Sequence, residues 1–247
     1  MTTAAANSVM GRLPAKGNTK TRSTPIQVPG LTGAVAVAAG AYYTLVLKSD
    51  GSVWGFGGNS YGELGDGTAT MRTSPVQALT LVNVVAIAAG RNHALALTST
   101  GEVWAWGRNV YGQLGDGSTT ESAEPVLISS GYAAISAGAS HSLAVKTNGT
   151  VWSWGHNFYG QLGDSTNTTQ TAPVQMTNVS GASRVAGGYE HSLIVMADGT
   201  LRATGRNDGG RLGDGTGTQT SLSVPVESLT GVIVGAAGAE HSGAVRT

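Results

Sequence analysis

Residues 84–117 read VVAIAAGRNHALALTSTGEVWAWGRNVYGQLGDG, and a similar stretch follows at 132–164 as YAAISAGASHSLAVKTNGTVWSWGHNFYGQLGD. Both contain an apolar run that ends at a glycine, an alternating run, a short turn and a Val-Trp-x-Trp run. The glycine that ends the first run recurs along the chain at Gly40, Gly90, Gly138, Gly188 and Gly238. Steps of about fifty residues indicate a tandem repeat. A fixed period of this length is stronger evidence for the fold than the secondary-structure preference of any one segment.

Each repeat contains four short segments with the character of β-strands. A Pro-Val or Pro-Ile segment comes first, and its proline fits the start of a strand because it offers no N–H to a ladder. The apolar run, the alternating run and the tryptophan run follow, with Asp-Gly or Asn-Gly turns between the last two. Four strands per repeat predict blades of a β-propeller. We therefore expect an all-β fold, a five-bladed β-propeller with four-stranded blades, over residues 1–247.

The Trp-x-Trp-Gly run, the Gly-x-Leu-Gly-x-Gly element and the Gly-x-x-His-Ser/Ala segment together resemble the regulator of chromosome condensation repeat family. The resemblance covers nearly the whole chain and implies a propeller. Two departures stand out. Members of that family usually have seven blades, whereas this chain has five repeats. The fourth repeat has Arg202 and Thr204 where the second has Trp104 and Trp106.

Both ends of the chain fall within a repeat. The last residues, AEHSGAVRT, stop after the alternating run. Near the other end, Asn7, Gly11 and Leu13 resemble a degenerate copy of the Asn-x-x-Gly-x-Leu element. We expect residues 1–30 to complete the C-terminal half-blade and to close a monomeric ring, which would cover the edge strands. An incomplete ring, a ring shared between chains and a fragment of a seven-bladed protein remain alternatives.

Composition limits the classes of partner. Lys and Arg number 14, Asp and Glu number 14, and the net charge is zero. Without an excess of positive charge, a nucleic-acid partner is not expected. The first thirty residues lack the apolar core of a secretory signal and no apolar run is long enough to span a bilayer, so we expect no membrane partner. The compartment stays open, because cysteine is absent and gives no redox indication.

Histidine, serine and aspartate recur near one another and could suggest a hydrolase. The histidines His93, His141, His191 and His241 share one repeat position, and Tyr43 holds it in the fifth copy. A catalytic site needs one asymmetric set of nucleophile, base and orienting group. Groups that recur with the blades more plausibly bond the backbone within each blade. We expect no catalytic residues and no enzyme activity.

The glycine-rich turns do not predict a cofactor or metal. Calcium takes six to eight oxygen ligands, usually from several carboxylates. Each Asp-Gly-Thr turn offers one aspartate, which is typical of an Asx turn. The Walker lysine spacing is also missing. The strand tryptophans, by their alternating positions, are predicted to pack inside the blades.

Positions that change from repeat to repeat predict the functional surface, because recognition residues are often carried by loops on a rigid scaffold. They flank the repeat histidine and the motif asparagine. The candidate partner-binding residues are Tyr42, Arg91, Asn92, Ser140, Tyr189, Glu190, Glu240, Arg108, His156 and Arg206.

The predicted function is a non-enzymatic protein-interaction scaffold with an unknown protein partner. The resemblance implies other roles, since relatives include a nucleotide-exchange factor that grips a small GTPase, a photoreceptor and an inhibitor of β-lactamases. The alternatives are therefore a guanine-nucleotide exchange factor for a small GTPase, or a structural, virion or cell-surface protein of bacterial or phage origin.

Overall fold

The computed structural model describes residues 8–9, 24 and 26–247, and every regular element in these residues is a β-strand. In chain order the strands are β1 (Ser8–Val9), β2 (Ile26–Gln27), β3 (Ala34–Ala39), β4 (Tyr43–Lys48), β5 (Val53–Gly57), β6 (Arg72–Gln77), β7 (Val84–Ala89), β8 (His93–Thr98), β9 (Val103–Gly107), β10 (Ser122–Ser129), β11 (Tyr132–Ala137), β12 (His141–Lys146), β13 (Val151–Gly155), β14 (Gln170–Gln175), β15 (Ala182–Gly187), β16 (His191–Met196), β17 (Leu201–Gly205), β18 (Thr220–Pro225), β19 (Val232–Ala237) and β20 (Ser242–Arg246). Over the same residues, no helix could cross a membrane.

The strands from β3 to β18 form four antiparallel blades of four strands each, in the orders β3-β4-β5-β6, β7-β8-β9-β10, β11-β12-β13-β14 and β15-β16-β17-β18. The first strand of each blade is innermost and the fourth is outermost. Blade five is represented by the pair β19-β20, and β1 pairs with β2 in a separate sheet. The predicted all-β propeller of five blades is confirmed, with two strands in the fifth blade among the described residues.

Local sequence explains the strands and their turns. The second strand of each blade is buried on both sides, as in HALALT of β8, while the predicted turn glycines Gly51 and Gly149 both have φ of +78°. Positive φ is strained for residues with a Cβ, so glycine lets the hairpin close tightly.

Pro75 and Pro225 do not stand at the first residues of their outermost strands, which corrects the prediction for these two repeats. Pro75 is the fourth residue of β6, within a register irregularity against β5. Pro225 ends β18, opposite Arg202. An outermost strand has a free edge and a bulge leaves residues outside the ladder, so the missing N–H costs no hydrogen bond.

The core lies between neighbouring blades. Trp106 of blade two is fully buried against Leu45 and Leu64 of blade one, and Trp154 of blade three is fully buried in a cluster with Leu95 of blade two. Each indole buries a large apolar surface. The predicted packing role therefore holds for these two tryptophans, and it joins blades to one another.

The expected pairing of the two chain ends is not present among the described residues, where β1 and β20 belong to different sheets. The Asn-x-x-Gly-x-Leu interpretation of Asn7, Gly11 and Leu13 lies outside the residues that the structure describes.

Candidate interaction face

The inner strands end around a central cavity of about 520 Å³ lined mainly by alanine and glycine. Backbone hydrogen bonds link the residue after each repeat glycine to the next blade. They are Ala41 N to Arg91 O (3.1 Å), Arg91 N to Ala139 O (3.2 Å), Ala139 N to Gly188 O (3.0 Å) and Tyr189 N to Gly238 O (3.2 Å). The segments that follow the repeat glycines therefore share one rim of the cavity.

The second set of variable positions lies beside the first. In each of the four complete blades, the N–H before the motif asparagine donates to the carbonyl before the repeat histidine or tyrosine. The bonds are Gly58 N to Tyr42 O (2.7 Å), Arg108 N to Asn92 O (2.9 Å), His156 N to Ser140 O (2.9 Å) and Arg206 N to Glu190 O (2.9 Å). The structure thus brings the candidate residues of these blades onto one side of the disc, which we call the variable face.

Aromatic rings support the outer part of the variable face. Each cation or imidazole lies against the tyrosine of the preceding blade. Arg108 lies 4.9 Å from the Tyr61 ring and Arg206 4.9 Å from the Tyr159 ring, while the Tyr111 and His156 rings are 4.6 Å apart. A guanidinium within about 6 Å of a tyrosine ring centre is attracted electrostatically by the ring, so these contacts help to orient Arg108 and Arg206. The candidate residues selected from the sequence do not include these tyrosines, which follow the motif asparagine.

Arg91 and Tyr189 meet at the cavity mouth. Arg91 Nη1 donates to Tyr189 Oη (2.6 Å), and the guanidinium lies 5.9 Å from the ring centre. The bond links blade two to blade four and skips blade three, where the equivalent residue is the small Ala139. Both side chains remain exposed, so they are available to a ligand.

Charge is distributed unevenly over the variable face. Arg206 forms ion pairs with Glu190 (2.7 Å) and Asp208 (2.5 Å). Among the described residues, neither Arg91 nor Arg108 forms an ion pair. Partial burial lowers the pKa of His156, which favours its neutral form near pH 7. The cationic surface without a counter-charge therefore lies on blade two.

Not all candidate residues are equally accessible. Tyr42 has 72% of its surface exposed, and Glu240 is also exposed. Asn92 is half-buried because its side-chain amide donates to the buried Glu63 carboxylate (3.0 Å). Asn92 therefore also supports the framework.

The chain matches the family model of the RCC1-like domain over residues 4–247. It belongs to the RCC1-like domain family. No curated protein matches this RCC1-like chain in sequence.

Two solved structures with the same fold are longer than this RCC1-like chain. Prp20p from Saccharomyces cerevisiae, whose binding properties to Gsp1p and histones are known, has 24% identity and a TM-score of 0.82 over 94% of this chain and 61% of its own. Human WBSCR16 has 22% identity and a TM-score of 0.84 over 96% of this chain and 64% of its own. The RCC1-like chain thus spans less than two thirds of either protein, and at these identities the likeness shows the fold.

In this RCC1-like propeller the repeated histidines connect blades. Each Nε2 meets a serine Oγ of the following blade, in the pairs His93–Ser142 (3.0 Å), His141–Ser192 (2.9 Å) and His191–Ser242 (2.9 Å). Each serine hydroxyl donates to a loop carbonyl, at Gln113, Gln161 and Arg211. The serine therefore accepts from Nε2–H, and the histidine is neutral. The expectation of bonds within one blade is corrected, because the second strands of neighbouring blades lie close enough for direct contact.

Burial strongly lowers the pKa values of these histidines. Desolvation lowers the pKa of His93 to about 4, and it lowers the pKa of His141 to about 3 with a smaller contribution from nearby histidines. Desolvation also lowers the pKa of His191 to about 4. Their Nδ1 atoms have no hydrogen-bond partner. The hydroxyls of Ser142 and Ser192 lie in a fully buried layer, where a substrate has no access, whereas Ser242 is exposed.

The Asp-Gly-Thr turns of the RCC1-like repeats hold the blade loops. Asp66 Oδ1 accepts from Thr68 N (3.1 Å), as in an Asx turn, and from Asn59 Nδ2 (3.1 Å). Asn59 also binds the loop carbonyl of Thr70 (3.1 Å). Within the described residues, no group of three or more His, Cys, Asp or Glu side chains could hold a metal ion.

Proposed function

We propose that this RCC1-like propeller is a non-enzymatic protein-interaction module whose partner docks on the variable face. The main support is the contrast between fixed and changing positions. Side chains that connect blades recur, whereas neighbouring positions around the cavity change from Tyr42 to Asn92, Ser140, Glu190 and Glu240. A rigid framework with changing surface side chains is the usual arrangement of a recognition scaffold.

The chemistry of the variable face suits a protein partner. Tyr42 is 72% exposed, and Tyr189 is 42% exposed beside Arg91. Tyrosine and arginine are enriched in protein interfaces and among the residues that contribute most to binding. The Arg91–Tyr189 bond also restricts two side chains before binding, which reduces the entropy lost on association.

The charge pattern supports a more specific proposal, that an acidic group of the partner docks over blade two. Arg91 and Arg108 lack an ion-pair partner among the described residues, while Glu190 is already paired with Arg206. Complementary charge accelerates encounter and selects orientation. Binding should therefore weaken with added salt, because these guanidinium groups are exposed to screening ions.

The relatives support the partner class. Prp20p has binding properties to Gsp1p and histones, which are proteins. We propose a protein partner for this chain on that precedent together with the variable face.

The proposal is tested by comparing three immobilised baits in extracts of the source organism, with bound proteins quantified by mass spectrometry. The baits are the wild type, the Arg91→Ala/Tyr189→Ala variant and an Arg184→Ala control. Arg184 is also exposed, but it lies on β15 away from the end that reaches the cavity rim. We expect a specific protein on the wild type and the control, and its loss from the double variant.

A different result would place the binding site on the Thr-rich turns. If the double variant retains the same protein while Thr119→Ala/Thr120→Ala loses it, the exposed Thr-rich turns carry the interaction and the variable face does not.

A further inference from the structure

Two exposed apolar side chains lie in the loops that carry Arg108 and His156 on the variable face. Val110 and Phe158 follow the motif asparagines of blades two and three, and they are 46% and 66% exposed. Ser60 and Asp208 hold the same position in blades one and four.

The fold does not need apolar side chains at this position. In all four loops the motif asparagine Oδ1 accepts from the N–H of the leucine five residues later, at 2.9–3.0 Å. The loop therefore closes in the same way around serine, valine, phenylalanine or aspartate. Exposed apolar side chains that form a contiguous patch mark interaction sites.

Aromatic rings join the two apolar side chains into one surface. Tyr111, next to Val110, is 39% exposed, and its ring centre lies 4.6 Å from that of His156 in blade three. Phe158 follows in the same loop as His156, and its ring centre lies 5.0 Å from that of Tyr159. We call Val110, Tyr111, His156, Phe158 and Tyr159 the aromatic arc. It crosses the junction between blades two and three.

Hydrogen bonds hold the aromatic arc in place before a partner binds. Asn167 Nδ2 donates to Phe158 O (2.9 Å), and Tyr159 N donates to Gln161 Oε1 (3.0 Å). The nitrogen of the same amide, Gln161 Nε2, donates to His156 Nδ1 (2.8 Å). A surface that is fixed in this way loses little conformational entropy on association.

These bonds also determine which proton His156 offers to a partner. Because Gln161 Oε1 accepts from the backbone, its nitrogen is the atom that faces Nδ1, so Nδ1 is an acceptor. A neutral ring then has its proton on Nε2. Within the described part of the chain, Nε2 of His156 makes no hydrogen bond and is not buried. The aromatic arc thus presents one polar donor between its apolar side chains.

Charge is asymmetric along the aromatic arc. Arg108 lies two residues before Val110 and forms no ion pair among the described residues. At the other end, Glu190 and Asp208 neutralise Arg206. A partner therefore meets uncompensated positive charge only at the blade-two end, next to an apolar surface.

We propose that the aromatic arc binds a segment of the partner protein that combines a carboxylate with an apolar side chain. The carboxylate pairs with Arg108, and the apolar side chain packs against Val110 and Phe158. Apolar contact beside an ion pair excludes water from it, as the residues around a binding hot spot do. The inference rests on the proposed binding function and extends it to apolar residues outside the candidates selected from the sequence.

The test begins with a random library of short peptides displayed on phage and selected on the immobilised full chain. We expect enriched peptides to carry Asp or Glu close to a large apolar residue. One enriched peptide is then synthesised with a fluorescent label, and its affinity for variants of the chain is measured by anisotropy.

Two substitutions remove the two halves of the proposed contact. Phe158→Ser introduces the residue that blade one has at this position, and Arg108→Gln removes the charge while keeping a polar side chain. Each should weaken peptide binding at least about tenfold, because residues at the centre of an interface contribute most of its binding energy. Thermal melts confirm that both variants are folded.

Val82→Ser is the matched control. Val82 is 68% exposed, and it lies at the opposite side of the disc, where the adjacent Asn83 O accepts from Ser99 N in the turn between β8 and β9. This variant should bind the peptide as the wild type does.

The peptide also reports the orientation of the contact. Replacing its acidic residue by the corresponding amide should weaken binding to the wild type at least about fivefold, and it should cause little further loss with Arg108→Gln. The two changes remove the same ion pair, so their effects should not add.

Several results would overturn the inference. They are the lack of enriched peptides with both an acid and an apolar residue, unchanged affinity of Phe158→Ser, and a concentration-dependent dimer in sedimentation that Phe158→Ser abolishes, since a second copy would then cover the aromatic arc. Peptides that need Arg91 and Tyr189 but not Phe158 would refute this inference and leave the proposed binding function intact. Peptides insensitive to all these substitutions on the variable face would count against both.

Discussion

The layer between the blades and the variable face are adjacent in sequence but differ in burial and in how far their residues vary between repeats. His141 is fully buried and bonded to Ser192 of the next blade, while its neighbour Ser140 is partly exposed on the variable face. The buried position stays histidine in four of five repeats, and the exposed one changes in almost every repeat. Repetition in this chain therefore marks contacts between blades, whereas the positions that vary lie on the surface where we propose that a partner docks.

Acid should affect the buried layer most strongly. The pKa values of His93, His141 and His191 are lowered to about 4, 3 and 4, so the fold favours their neutral forms. Stability present above about pH 6.5 should fall as pH decreases towards 4, by about 1.4 kcal/mol per pH unit for each histidine and about 4 kcal/mol for three. Urea unfolding at pH 7.5, 6.0 and 5.0 measures this slope. If the free energy of unfolding does not change with pH above pH 5, the histidines are not held in their neutral form by burial.

Trp154→Ala should lower the free energy of unfolding by about 3–5 kcal/mol, since it removes a fully buried indole. It also removes the bond from Nε1 to Gln113 O (3.0 Å). Trp106→Ala should behave in the same way. The control is Trp152→Ala, because Trp152 is half-buried on the same strand and should cost clearly less. Chemical denaturation of these variants is the measurement, and equal losses for Trp154 and Trp152 would contradict the assigned packing.

A natural alternative to the histidine–serine pair exists at the first junction. There Tyr43 Oη donates to Gly90 O (3.2 Å), and Ala94 stands where blades three, four and five have serine. Ser192→Ala alone should cost about 1–3 kcal/mol, because it leaves the buried His141 Nε2–H without an acceptor. Adding His141→Tyr should recover much of that loss and weaken the acid dependence. A double-mutant cycle in urea tests this coupling, and strictly additive losses would contradict it.

The smallest effect is expected at Trp104. Its buried Nε1 has no hydrogen-bond partner, whereas Nε1 of Trp152 donates to Thr150 Oγ1 (3.1 Å). Glu102 holds the position equivalent to Thr150 in blade two. Glu102→Thr should therefore stabilise the protein by about 0.5–1.5 kcal/mol through one new bond. Thermal melts compare this variant with Glu102→Val, which matches the shape without the hydroxyl and should bring no such gain.

The fold could be predicted from the sequence because the repeat imposes the same four strands each time. HALALT and VWAWG, for example, correspond closely to β8 and β9. The partner of each histidine could not be predicted in this way. His93 bonds Ser142, 49 residues away, and periodicity alone cannot distinguish a contact within one repeat from the same contact made with the next.

The variable face was only partly predictable. Its positions follow from variation between repeats, and strand symmetry places them on one side. The stacking of Arg108 on Tyr61 depends on how closely adjacent blades approach, and the Arg91–Tyr189 bond depends on the small Ala139 between them. Such contacts arise from three-dimensional spacing, which a single sequence does not contain.

We propose that partner binding depends on the variable face, whereas stability depends on the buried layer between the blades. Two variants, Arg91→Ala and Ser192→Ala, separate these roles when their affinity for the protein captured by the wild type and their free energy of unfolding are both measured. Arg91→Ala should weaken binding by at least about 1–2 kcal/mol and change stability by less than about 0.5 kcal/mol. Ser192→Ala should lower stability and leave affinity unchanged at a temperature where it is fully folded. Normal binding by Arg91→Ala, together with lost affinity in folded Ser192→Ala, would contradict the proposal that the partner binds the variable face.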